Sequence, residues 1–263
     1  MIYLVVCGTA LAAAGLTLLS GFGLGTLLLP AFALFFPVAV AVAATAVVHL
    51  ANNLFKLALL ARHADRSVVI VFGPPAALAA LGGAALLNTM ATLPALARWT
   101  LDGRPHEVTP VKLVIAALMV AFAVLDLVPA LERVTLPRRW LPLGAAFSGF
   151  FGGLSGHQGA LRAAFLTKLG LDAKAFVATG TVIAVLVDVA RLATYSAGFV
   201  SRDFGGVLAA RGGWTLVGAA TAAAFVGSFA GARLLPKVTM RAIRWLVGVL
   251  LVLLAAALAA GVV

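Results

Sequence analysis

Apolar residues run almost without interruption along this chain, and polar residues gather at a few points. From Met1 to Phe55 there is no Asp, Glu, Lys or Arg, a stretch far longer than the roughly 20 apolar residues that take a helix across a bilayer. It therefore crosses more than once, or crosses and folds back. Polar clusters end the later runs: R-H-A-D-R (62–66), R-W-T-L-D-G-R-P-H-E-V-T-P (98–110), E-R-V-T-L-P-R-R (132–139), S-R-D-F-G-G (201–206) and P-K-V-T-M-R-A-I-R (236–244). Breaking the chain there predicts about eight spans, at 2–22, 38–60, 68–90, 111–131, 141–155, 173–197, 214–235 and 242–262. Met1-Ile-Tyr-Leu-Val-Val has no basic start and no cleavage pattern, so it reads as the first span rather than a signal peptide.

Two stretches interrupt the apolar runs with glycine. S-G-F-G-L-G-T-L-L-L-P (20–30) is echoed by S-G-F-F-G-G-L-S-G-H-Q-G (148–159), and each is followed by a helix spotted with polar residues. These helices are A-A-T-A-V-V-H-L-A-N-N-L-F-K (43–56) and T-G-T-V-I-A-V-L-V-D-V-A-R (179–191). The expected fold is therefore an all-α polytopic membrane protein: two pseudo-symmetric four-helix repeats with glycine-broken or re-entrant segments. The repeats would span 1–131 and 132–263 of one integrated membrane domain. Residues 24–36 could form a re-entrant half-helix or continue the first span. Backbone that is not helical cannot face lipid, because each unpaired N–H or C=O would cost several kcal/mol, so the breaks must face protein or a cavity. Interrupted hydrophobic segments at matching places in two halves point to the binding site of a secondary transporter.

Composition sharpens this picture. Of 263 residues, 63% are hydrophobic and 10% charged, against roughly 25% charged in a soluble domain. The net charge of +11 is spread over short connections. That suits anionic headgroups or an anionic substrate, not nucleic acid. Lys and Arg divide too evenly between alternate connections to fix the orientation. The single cysteine, Cys7, excludes an intrachain disulfide.

An ionisable residue at mid-span costs about 2.5–3.5 kcal/mol on insertion scales, so each implies a partner or a role. His49, Asn52, Asn53 and Lys56 fall on one face of the second span by helical spacing, with Thr45 further back on that helix. Asp188 and Arg191, three apart, can pair along their helix, and Asp126 is a candidate partner for Lys56. His49, Lys56, Asp126, Asp188 and Arg191 thus form a coupling or structural ion-pair set. In the second break, a short helix starting near Gly156 would offer free N–H groups and its positive dipole end to an anion, with Arg162 more than one turn along it. The competing structural reading is close helix packing, because Gly149/Gly153 and Gly152/Gly156 are both G-x-x-x-G pairs.

Gly153-Leu154-Ser155-Gly156 also matches the G-x-S-G of intramembrane serine proteases, and His49-Leu-Ala-Asn-Asn53 their H-x-x-x-N. A serine nucleophile needs a histidine base within hydrogen-bond reach. His63 and His106 are in loops, and His157 points away from Ser155 if the segment is helical, which leaves His49 alone. No metal-ligand spacing and no P-loop is present, so no catalytic residue, metal or cofactor is expected.

Two four-span halves, S-G-F-G-L-G-T-L-L-L-P, the A-T-A of the next helix and G-G-L-S-G at the start of the second half together resemble the TauE/SafE sulfite-exporter family. The resemblance covers nearly the whole chain. It implies a transporter, not an enzyme, that moves small sulfur-containing anions (sulfite, sulfonates or sulfoacetate) across the bacterial inner membrane, coupled to a proton or ion gradient. Carried over by motif, its site falls at Gly21, Gly23, Gly25 and Pro30, and at Gly153, Ser155, Gly156 and Gly159. Joined to the polar residues read above, the substrate-binding set becomes Gly21, Gly23, Gly25, Thr45, Asn52, Asn53, Ser155, Gly156, His157, Gln158, Gly159 and Arg162. His49, His157 and Asp188 are the candidates for proton coupling. Expected partners are a small anion and membrane lipid, with homodimer formation left open and a passive anion channel as the alternative function.

Overall fold

A computed structural model describes residues 1–20, 24–101, 103–127, 138–200, 206, 208–209, 212–234 and 240–262. Its helices are α1 (Ile2–Ser20), α2 (Leu24–Ala33), α3 (Val38–Leu60), α4 (Arg66–Met90), α5 (Pro110–Leu127), α6 (Leu141–Ser155), α7 (Gly159–Leu166), α8 (Ala173–Val200), α9 (Gly213–Leu234) and α10 (Met240–Ala259). Four of them, α3, α4, α8 and α9, are long and apolar enough to cross a membrane. The order long, short, long, long, long occurs twice. Corresponding helices also choose corresponding partners: α1 packs on α9 and α6 on α4, α2 on α1 and α3, α7 on α6 and α8. Helix α3 meets α8, and α5 meets α10.

The short helices decide how the glycine breaks are built. Residues 24–33 do not continue the first span; they form a ten-residue helix of their own, roughly 15 Å long and half of what a bilayer needs. Proline sets the next start, with Pro37 immediately before α3. Likewise the predicted span 141–155 is a 15-residue helix, about 22 Å, and the chain then turns into the eight-residue α7. At that turn Gly156 takes φ 83°, a left-handed cap that a side chain would resist.

Glycine also sets the helix spacing. A methyl group on Gly149 would lie 1.9 Å from the Ala76 carbonyl oxygen, and one on Gly153 2.1 Å from that of Ala80. Across the other matching pair, methyl groups on Gly227 and Gly231 would lie 2.1 Å and 2.5 Å from the carbonyls of Leu11 and Gly15. Both contacts use glycines four apart, so backbones touch and dispersion replaces the hydrophobic drive that lipid cannot provide. The packing reading therefore holds for Gly149/Gly153. It fails for Gly152/Gly156, because Gly156 has left the helix.

The polar stretch at 98–110 is not a plain loop. It forms an antiparallel hairpin, β1 (Ala97–Leu101) and β2 (Arg104–Val108). Arg98 pairs with Glu107 at 2.9 Å, and the Trp99 indole donates 2.8 Å to the Ala260 carbonyl. The hairpin thereby ties the connection before α5 to the end of α10. At the other loop of this half, Asp65 caps α4 by accepting from the Ser67 and Val68 amides at 2.9 and 3.1 Å. The Ser67 hydroxyl and the Val68 amide hold its carboxyl below the usual carboxylate range.

Gly153→Val should overpack the α4/α6 contact and destabilise the protein by about 1–3 kcal/mol or more. Gly82→Ala, at a glycine with open space around it, should change little. Melting of the detergent-purified variants compares them, and equal melting temperatures would refute the close-packing role.

Candidate functional site

The polar faces read from the sequence meet where α3 crosses α8. Asp188 of α8 is fully buried and collects donors from three parts of the chain. Its Oδ2 accepts from His49 Nδ1 at 2.6 Å and from Asn53 Nδ2 at 3.3 Å. Its Oδ1 accepts from Arg191 Nε and Nη2 at 3.0 and 2.7 Å and from Gln158 Nε2 at 3.0 Å. Asn53 Nδ2 also sits 3.0 Å from His49 Nδ1. With that ring N–H given to the carboxylate, the amide donates to the same Oδ2 instead.

Gln158 links this carboxylate to a second cation. Its Oε1 accepts from Arg162 Nη1 at 3.0 Å, while its backbone carbonyl accepts from Ser148 Oγ at 2.9 Å. Arg191 also reaches α6, with Nη1 donating 3.3 Å to the Gly152 carbonyl, and the Tyr195 hydroxyl donates to the Gly153 carbonyl. Both carbonyls lie in the last turn of α6; that of Gly152 also accepts from the Gly156 amide at 2.9 Å. Arg162 is in the first turn of α7, because that helix begins at Gly159 rather than near Gly156.

The two glycine breaks touch. A methyl group on Gly25 would lie 3.2 Å from the Gly156 carbonyl oxygen and 3.8 Å from the Thr45 methyl. Around this junction and along α3, three buried polar atoms have no hydrogen-bond partner among the described residues: Thr45 Oγ1, Asn52 Nδ2 and His157 Nε2. Asn52 is held through its other amide atom, Oδ1, which accepts from Ser228 Oγ of α9 at 2.8 Å. Lys56 is buried further along the same face of α3, within electrostatic reach of Arg162.

His49, Asn53, Gln158, Arg162, Asp188 and Arg191 are thus joined in one buried network; Gly25, Thr45 and Gly156 meet at the glycine junction, which His157 follows directly, and Asn52 turns to Ser228 of α9. Gly21, Gly23 and the side chain of Asp126 lie outside the described residues. One sequence inference needs correction: His157 does not point away from Ser155. The Gly156 turn ends the helix, and His157 Nδ1 comes to 3.0 Å from Ser155 Oγ. Ser148, Tyr195, Ser228 and Phe122, whose ring stacks on His157 at 5.1 Å, were not anticipated. Single hydroxyls and phenyl rings on apolar helices carry no periodic signal. Only the position of Ser148 inside the second glycine stretch could have singled it out.

Asp188→Asn should cost about 3–5 kcal/mol, since it leaves the buried Arg191 without its counter-charge. Asn53→Ala should cost far less, near the ~0.6 kcal/mol typical of a membrane hydrogen bond. Thermal denaturation in detergent measures both, and similar losses would remove Asp188 from the centre of the network.

A family model described as Sulfite exporter TauE/SafE matches residues 6–258. No curated protein and no solved structure matches the chain. The matched region takes in both glycine breaks, the polar faces of α3 and α8 and every described helix at least in part. By that match the chain belongs to the TauE/SafE sulfite-exporter family, and it is a multi-pass membrane protein of a transporter family.

Proposed function

We propose that the chain is a secondary transporter that moves a small anion of the sulfite, sulfonate or sulfoacetate class across the bacterial inner membrane, driven by a proton or ion gradient. The anion binds where the two glycine breaks meet. Gly21, Gly23 and Gly25 of the first break, Ser155, Gly156 and Gly159 of the second, and Thr45, Asn52, Asn53, His157, Gln158 and Arg162 surround it. The two halves, 1–131 and 132–263, act as the repeats that rock about this site.

One observation carries this reading. Asp188 is the only buried carboxylate among the described residues, and two buried guanidiniums face it. Arg191 takes the carboxylate directly. Arg162 has only the neutral Gln158 amide as a hydrogen-bond partner among the described residues. A buried cation without a full counter-charge is costly, and a bound oxyanion would supply that charge through paired hydrogen bonds. The free N–H groups at the start of α7, close to Arg162 in sequence and space, add positive potential on the same side.

In proteoliposomes, flux of sulfite should saturate and respond to an imposed pH gradient; flux that rises linearly with concentration would make the protein a passive channel. Arg162→Gln should raise the half-saturating concentration about 10- to 100-fold, the weight of a charge-assisted hydrogen bond at about 1.5–3 kcal/mol. An unchanged value would move the anion elsewhere.

A further inference from the structure

His157 carries information about the cargo that the guanidinium does not. Its ring is buried and clamped parallel to the Phe122 ring, with 6° between their planes. Nδ1 faces Ser155 Oγ at 3.0 Å, and that hydroxyl donates its single proton 3.0 Å to the Phe151 carbonyl. The hydroxyl can then only accept from the ring, so Nδ1 bears the hydrogen. That contact selects the tautomer and leaves Nε2 as a bare lone pair.

That lone pair has no partner among the described residues and is sealed from solvent. Beside Gly25 at the same junction, the Thr45 hydroxyl also has no partner among the described residues. An acceptor-only anion would set its negative oxygens against Nε2, whereas a hydrogen-bearing oxyanion offers that lone pair a donor.

Resting on the anion site proposed above, we propose that the protein binds its anion together with one exchangeable proton, held between an anion oxygen and His157 Nε2. The preferred cargo is a hydrogen oxyanion such as hydrogensulfite, in preference to an anion that can only accept. Hydrogensulfite on neutral imidazole and sulfite dianion on imidazolium contain the same atoms and the same charge, so the proton balance does not depend on which partner holds it. The charged group acting on His157 is Arg191 from α8. Gly25 and Thr45 from α2 and α3 bring no charge, and His49 is already bound to Asp188. From α5 comes the Phe122 ring; the Asp126 side chain of that helix is not among the described residues.

Calorimetry on the purified full chain tests this with two probes, sulfite and methanesulfonate, each in two buffers of different ionisation heat. At a pH where free sulfite is mostly dianion, binding should take up roughly one proton per anion, and methanesulfonate should bind about tenfold or more weakly with no proton uptake. His157→Phe, checked for folding by gel filtration, should abolish the uptake and bring the two affinities to within about twofold of each other. Equal wild-type affinities without proton uptake, as expected if only a water occupies Nε2, would overturn the inference and leave the anion site standing. Failure of the wild type to bind either anion would overturn both. The wild-type measurement is decisive even if the variant does not fold.

Discussion

A carboxylate buried away from water must be surrounded by donors or it unfolds the protein around it. Asp188 is that group, and its need for donors explains why otherwise unrelated segments converge. His49 and Asn53 reach it from α3, Gln158 from the turn between α6 and α7, and Arg191 from its own helix. Removing water makes each bond stronger and each unmade bond more costly. The network consequently fixes the α3/α8 crossing and the position of the α6–α7 turn together. Gln158 carries this order to the next cation: one amide donates to the carboxylate and accepts from Arg162, holding two like-charged guanidiniums in one interior without a second buried acid among the described residues.

Glycine makes such a centre physically accessible. Lipid gives helices no hydrophobic reason to associate, so backbone contact must supply the cohesion, and Gly149, Gly153, Gly227 and Gly231 bring the helices to that distance. The cohesion sits at two corresponding contacts, α4 with α6 and α1 with α9. Between them the short helices α2 and α7 end inside the protein, where Gly25 and Gly156 meet. The described part of the first break contributes Gly25, one buried hydroxyl at Thr26 and apolar side chains, while the second contributes Ser155, His157, Gln158 and Arg162. Correspondence in shape with difference in chemistry places the charged and hydrogen-bonding side chains of the junction mainly on the second break.

Much of this was legible in the sequence because the bilayer penalises polar residues so heavily. Where a charge survives in an apolar run, helical spacing alone predicts its neighbours, and His49, Asn53, Asp188 and Arg191 were brought together from spacing and the duplication. Spacing says less where the period ends: hydropathy left residues 24–36 open between a half-helix and a continuation of the first span, and it put the start of the second short helix near Gly156, where the backbone starts it at Gly159. The Asp102-Gly103 dipeptide between Leu101 and Arg104 is the signal of a two-residue hairpin. A charged connection between spans is explained equally well by a polar loop, so the dipeptide does not stand out against it. The hydroxyls of Ser148 and Ser228 were invisible for a different reason: serine costs little in an apolar helix and therefore marks nothing.

The left-handed Gly156 has the largest consequence for function. Had the helix continued, His157 would have faced away from Ser155 and pointed to another side of α6. By turning the chain, Gly156 places the ring against Ser155 and leaves its other nitrogen without a partner among the described residues. The same geometry bears on the serine-nucleophile motif. A general base must offer a lone pair to the serine hydroxyl, yet here the ring offers its N–H, and the hydroxyl proton is directed to the Phe151 carbonyl. The Ser155–His157 contact is thus arranged to orient the imidazole rather than to activate the serine.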